Sequence, residues 1–368
     1  MRHHFIQVLS VNHSVATVAY LINNFLYRSG PVAQFFVSLC LIFLTCIANS
    51  QQSDTDGFSV IAPLASRSLL LDGIVKGGKF VVVGERGHIL LSGDGYDWRQ
   101  VEVPTQSTLT GVCFIDGNLG WAVGHDAVIL KTTNGGQHWD KVHYEPEAEA
   151  PLLDVWFGDE HHGIAIGAYG NYLVSHDGGA TWIRSELNVL DEGDPDEGDT
   201  EDTPDKDEFT GEYQLHLNAI AQSDAGQLYI VAEAGRIYRS DNSGESWSEM
   251  PSPYIGSLFG VLPLSGNTVF VYGLRGHLYR SDDAGLTWQK METGTMEMLT
   301  DGIRLSDGKI VIAGMGGALL VSPDNGASFA LIQQSNRTGY AAVMEEDTQN
   351  LLMVGDGGIN HIKLIGTY

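Results

Sequence analysis

The sequence predicts an all-β protein built as a single seven-bladed β-propeller, and three observations carry that expectation. First, a polar octet ending in an aromatic residue recurs along the chain. Its best copies run from Ser281 to Trp288, Ser175 to Trp182 and Thr132 to Trp139. Looser copies run from Ser240 to Trp247 and from Ser322 to Phe329, and one from Ser92 to Trp98 is a residue short. Second, the octet aromatics are spaced at 41, 43, 65, 41 and 41 residues from Trp98 to Phe329. Third, a small residue closes a β-rich run ahead of each of the six octets, at Gly84, Gly124, Gly167, Ala232, Gly273 and Gly314, and Gly355 closes a seventh such run, which makes seven units. A period near 40 residues with four short strands per unit is the pattern of a propeller blade.

The octet has the chemistry of a hairpin turn. Its Ser/Thr and Asp/Asn can bond the turn's own backbone, its Gly takes the positive φ, and its aromatic folds back toward the core. It resembles the Asp-box, or BNR, repeat. Structural roles therefore fall to Asp94 with Trp98, Asn134 with Trp139, Asp177 with Trp182, Asn242 with Trp247, Asp283 with Trp288, and Asp324 with Phe329. None is assigned a catalytic role.

In chain order, residues 1–50 hold no acidic residue, carry Arg2 and Arg28, and end in an apolar run from Phe35 to Leu44 followed by Ala48-Asn49-Ser50. This reads as a Sec-type signal peptide, the alternative being a retained anchor; the run is short of the ~20 apolar residues of a spanning helix. Residues 51–57 read as a linker, and 58–63 as a lone strand. The first blade is expected at 68–71, 79–83, 88–91 and 98–103. The seventh unit offers only three strands, at 341–344, 351–354 and 359–365. The strand at 58–63 is the natural fourth, closing the ring over 58–366 so that no sheet edge stays open.

Composition narrows the function. Without the two arginines of the leader, 18 Lys and Arg face 46 Asp and Glu, a charge near −28. Such a surface repels nucleic acid and anionic lipid. Cys113 is alone outside the leader, so no intrachain disulfide is expected, and it reads as a small apolar residue of an innermost strand. Residues 191–208 hold eleven acidic side chains and one lysine, together with Pro195 and Pro204, and read as a solvated, disordered loop; a calcium site or a dock for a basic partner is the functional alternative. No EF-hand register occurs there. Asp159-Glu160-His161-His162 reads as a polar hairpin turn in preference to a metal site, and neither a metal nor a cofactor is expected.

The turns between second and third strands lie on the rim opposite the octets. Two of them, Gly84-Glu85-Arg86-Gly87 and Gly273-Leu274-Arg275-Gly276, present an arginine, and Arg236 stands two residues beyond the equivalent position of the fourth unit. The G-x-R-G turn, the hydrophobic strand after it and the degenerate Asp-box, in a chain of seven repeated units behind an expected export signal, resemble the Ycf48/Hcf136 group of photosystem II assembly and stability factors. That resemblance implies a non-enzymatic, monomeric scaffold, in the periplasm or the thylakoid lumen. It also implies that an arginine-bearing face, here Arg86, Arg236 and Arg275, contacts an assembling membrane protein: photosystem II in a photosynthetic host, another envelope complex otherwise. No membrane insertion is expected once the leader is cleaved. The alternative is a glycan-binding propeller or a sialidase-like hydrolase, since Asp-boxes also occur in sialidases. The Arg-Ile-Pro opening of those enzymes is missing, as are G-x-S-x-G and H-E-x-x-H.

Overall fold

A computed structural model describes residues 57–190 and 215–364. The expected leader and the acidic segment 191–208 lie outside these residues. The described chain forms seven antiparallel sheets, six of four strands and one of three, each built from consecutive strands. Blade 1 comprises β1 (Leu70–Lys76), β2 (Lys79–Gly84), β3 (Ile89–Ser92) and β4 (Arg99–Val101). The innermost strands of the next six blades are β5 (Leu109–Phe114), β9 (Leu152–Phe157), β13 (Leu217–Gln222), β17 (Leu258–Pro263), β21 (Leu299–Arg304) and β25 (Tyr340–Glu345). Each lies beside the next around the axis, and β25 returns to β1, so the ring is closed.

Second strands are covered on both faces by neighbouring blades, which is why β2 and β22 (Ile310–Gly314) are buried along nearly their whole length and read as continuous apolar runs. The small residue ending each second strand has a steric cause. A Cβ on Gly84 would lie 2.2 Å from the carbonyl oxygen of Leu69, where the chain enters β1. Every innermost strand slips register one or two residues into its course, as between Leu70 and Asp72.

The core is a set of apolar layers between blades. Trp139 packs with Val81, Leu91 and Phe114 between blades 1 and 2, and Trp247 with Trp156, Ile164 and Tyr172 between blades 3 and 4. The octets hold the turns as expected. In Ser175 to Trp182, the Ser175 hydroxyl donates to Asp177 Oδ1 (2.9 Å), while the Thr181 N–H and hydroxyl donate to Asp177 Oδ1 (2.9 Å) and Oδ2 (2.6 Å). These donors hold the Asp177 carboxyl down at about 2, the Thr181 hydroxyl first among them. The aromatics are less uniform than expected. Trp139 and Trp247 are 1% and 0% exposed, whereas Trp98, Trp182, Trp288 and Phe329 are only half-buried.

One expectation is corrected. Residues 58–63 form no strand and do not complete the last blade, which keeps three strands: β25, β26 (Asn350–Gly355) and β27 (Asn360–Lys363). The segment lies instead along the outer side of blade 1, where the Ser59 N–H donates to the Val103 carbonyl (2.8 Å). Closure comes from side chains: Ala65, Leu70, Phe80 and Leu90 pack against Ala342, Met344 and Leu352 across blades 1 and 7. Burial of that layer, with one backbone bond from the Ile359 N–H to the Ser66 carbonyl (2.9 Å), replaces the expected strand pairing.

Candidate functional site

In blades 1 to 6 the turn between second and third strands is a single 3-10 turn, on the rim opposite the octets. Arg86 and Arg275 occupy its left-handed position at φ 56° and 57°, a position shared by Asp126, Tyr169, Ala234 and Gly316. The glycine after each arginine is required. A Cβ on Gly87 would sit 2.2 Å from the Thr105 carbonyl oxygen, and one on Gly276 2.2 Å from that of Thr295.

The three arginines are all exposed on this rim but differ in availability. Arg236 is tied to Glu249 in a short ion pair. Arg86 has only Glu85 beside it, at 4.0 Å. Arg275 enters no ion pair among the described residues. Arg236 and Arg275 stand on adjacent blades 4 and 5, while Arg86 on blade 1 is across the ring. They therefore share a rim without converging on a single carboxylate, as a sialidase triad must.

The axis holds groups that the reading of the sequence passed over. An axial cavity of about 400 Å³ is lined by Asp72, Asp154, Asp301, Thr110, Asn218 and Tyr272, among others. Each aspartate follows a register slip and fastens two blades. Asp72 accepts the N–H of Gly73 (2.7 Å) and of Val112 on blade 2 (2.8 Å). Asp154 accepts from Val155 (2.7 Å) and from Ile220 on blade 4 (2.9 Å), and Asp301 from Gly302 (2.7 Å) and Val343 on blade 7 (2.8 Å). Thr110 and Thr300 donate across the interface to the carbonyls of Leu152 (2.7 Å) and Tyr340 (2.8 Å). Burial raises all three aspartates above their ordinary value, Asp72 well above it and Asp154 to about 7, with the neighbouring axial carboxylates adding to the rise at Asp72 and Asp154. The signal was the recurrence of Leu-x-Asp in three innermost strands.

His162 sits in its hairpin turn with Nε2 on the Ser243 carbonyl oxygen (2.8 Å) and Nδ1 3.3 Å from His176 Nδ1. No three His, Cys, Asp or Glu side chains gather to hold a metal ion among the described residues. Cys113 lies on β5, its residue half-buried, and burial pushes its thiol up to about 12, far from a nucleophile's range.

Residues 91–150 match the family model described as "Photosynthesis system II assembly factor YCF48". The photosystem II assembly lipoprotein Ycf48 of Synechococcus sp. strain CC9902 is 26% identical over 48% of this chain and 47% of its own length. The photosystem II assembly protein Ycf48 of Synechococcus sp. strain JA-2-3B'a(2-13) is 28% identical over 44% of this chain and 42% of its own. The chain thus spans less than half the length of these curated relatives. Among solved structures, "YCF48 bound to D1 peptide" superimposes with a TM-score of 0.62 at 16% identity, over 85% of this chain and 98% of that one. At that identity the superposition speaks for the fold. The chain is thus a seven-bladed β-propeller, six of its blades carrying an Asp-box octet, that is similar to the Ycf48 assembly factors in part of its sequence and in its fold.

Proposed function

We propose that this protein is a non-enzymatic, exported scaffold that binds a membrane-protein partner through the rim bearing Arg86, Arg236 and Arg275. The partner would be photosystem II or its assembly intermediate in a photosynthetic host, and another envelope complex elsewhere. The observation that carries the reading is the match to proteins named as photosystem II assembly factors over a region that includes the octets and turns of blade 2. The rim supports it. In a chain of net charge −26, Arg275 is exposed and without a carboxylate partner among the described residues, and Arg86 is held only loosely. Local positive charge on an acidic surface favours an anionic contact and steers its approach. In this reading residues 1–50 serve as an export signal, and the scaffold works in the periplasm or the thylakoid lumen.

The test is capture of a membrane complex from solubilised membranes of the source organism by the wild-type protein and by the double variant Arg86→Glu, Arg275→Glu. Normal folding of the variant with loss of a salt-sensitive capture is the expected result. Capture that survives in a well-folded variant moves the site off this rim. Release of a fluorogenic sialoside by the wild type, and not by the variant, would replace scaffolding with hydrolysis.

A further inference from the structure

Two turns of the repeat share Arg-Gly-His: Arg86-Gly87-His88 in blade 1 and Arg275-Gly276-His277 in blade 5. The identical 2.2 Å approach of Gly87 to Thr105 and of Gly276 to Thr295 makes the two following loops equivalent. Counted from those threonines, Gln100 corresponds to Lys290, Val103 to Thr293, and Gln106 to Met296. Both histidines leave Nδ1 without a hydrogen-bond partner among the described residues.

In blade 1 the chain itself fills this place. The Ser59 N–H donates to the Val103 carbonyl (2.8 Å), and the Val103 N–H donates to Ser59 Oγ (3.0 Å). Gln100 grips the segment twice, accepting from the Ala62 N–H (2.7 Å) and donating to the Val60 carbonyl (3.0 Å). Gln106 donates to the Phe58 carbonyl (3.0 Å), and His88 beneath is 2% exposed. Residues 58–62 are thus an extended peptide docked on the outer side of a blade.

In blade 5 the equivalent residues line an open groove of about 480 Å³. Arg275, His277, Lys290, Thr293 and Met296 face it, with Glu292 its one carboxylate. Neither Arg275 nor Lys290 has an ion-pair partner among the described residues. Met296 is 80% exposed, and Ile255, which follows the Tyr254 ring stacked edge-on against His277 at 4.1 Å, is 92% exposed.

We propose that the blade-5 groove is a docking site for an extended acidic and aliphatic peptide of the partner, held as blade 1 holds residues 58–62. This deepens the rim reading above and rests on it. The peptide's main chain bonds Thr293, a carboxylate lies beside Lys290 and Arg275, and an aliphatic side chain covers Met296. The changes between the repeats set the selectivity: the neutral grip of Gln100 becomes the cation Lys290, and the amide of Gln106 becomes the thioether of Met296. Burial, Lys290 and Arg275 together hold the His277 ring below its ordinary pKa, so a carboxylate arriving beside them raises it again.

The probe is a blocked, fluorescein-labelled heptapeptide with the sequence of residues 57–63 and the change Ala62→Glu, titrated against the full chain by fluorescence anisotropy. Saturable binding is expected, weakened about tenfold or more by Lys290→Glu and by Met296→Asp. The His277 ring titration, followed by NMR, is expected to move to higher pH on binding. No saturation by about 1 mM probe overturns the proposal, as does binding indifferent to Lys290→Glu and Met296→Asp. Binding that emerges only after residues 191–208 are deleted also overturns it, assigning the groove to the chain's own acidic segment. The two readings fail separately. Membrane capture lost in Arg86→Glu, Arg275→Glu without any probe binding leaves the rim reading standing and overturns the groove. Probe binding by a protein whose capture ignores every rim substitution does the reverse.

Discussion

Lowering the pH from 8 to 5 is expected to stabilise the ring, and Asp154 is the group that makes this measurable. Its carboxyl titrates near pH 7 in the fold, mainly because burial penalises the charged form, against an ordinary value of 3.8. A folded pKa raised in this way adds stability that is complete below the unfolded value and is lost as the pH climbs through the folded one. Between pH 8 and pH 5 the proton binding of the two states differs by roughly two pH units' worth, or about 3 kcal/mol. For ~300 folded residues an unfolding entropy of roughly 0.6 kcal/mol per kelvin turns this into about 4 °C in Tm. Asp72 and Asp301 act in the same direction. The octet carboxylates oppose it only in stronger acid. Asp177, Asp283 and Asp324 titrate near 2, so their contribution is present above the usual carboxylate pKa and disappears as the pH falls from 4 toward 2. His88, His143 and His277, each held below the ordinary imidazole value chiefly by burial, work against the gain as the pH falls below about 6.5, so the Asp154 share is read from the difference between wild type and variant. The decisive variant is Asp154→Asn. Its amide still accepts one of the two N–H groups, from Val155 or Ile220, but turns an NH₂ toward the other, a loss of about 1–3 kcal/mol at pH 5. It also removes the Asp154 share of the slope between pH 5 and 8. Thermal unfolding followed by tryptophan fluorescence at four pH values tests this. A variant curve parallel to the wild type over that range refutes the account of the axial carboxylates.

Among the octet aromatics, Trp139→Ala and Trp247→Ala should each cost about 3–5 kcal/mol, because both indoles are fully buried between blades. Trp288→Ala should cost less, the residue being half-buried, and Phe329→Trp should be tolerated; denaturant midpoints of the four variants rank the effects. Replacing residues 191–208 by a short Gly/Ser bridge should leave Tm within about 1–2 °C, since eleven acidic side chains and two prolines in eighteen residues offer little to bury. A calcium-dependent rise in Tm that vanishes with the deletion would make that segment a metal site.

Blade number and blade boundaries were legible because they are written in local chemistry. A Ser, an Asp and a Gly within five residues close their own turn, as Ser175, Asp177 and Gly179 do, whatever the rest of the chain is doing. The small residue ahead of each octet was legible too, although its cause, the 2.2 Å approach of the Leu69 carbonyl to Gly84, belongs to the assembled blade. What stayed hidden depends on partners distant in sequence. The segment 58–63 has the composition of a strand and could have paired with either neighbouring blade; its hydrogen bonds to Val103 and Gln100 decide for blade 1 and leave blade 7 with three strands. Asp72, Asp154 and Asp301 look like solvated acids until the ring folds and turns each toward the N–H of another blade. Arg236 and Arg275 carry equal weight in the sequence, yet Glu249 neutralises the first while the second faces an open groove. Turn chemistry acts over a few residues, so the sequence alone determined the seven repeated blades. Burial, ring closure and charge pairing act across tens to hundreds of residues, so only the tertiary structure could decide them.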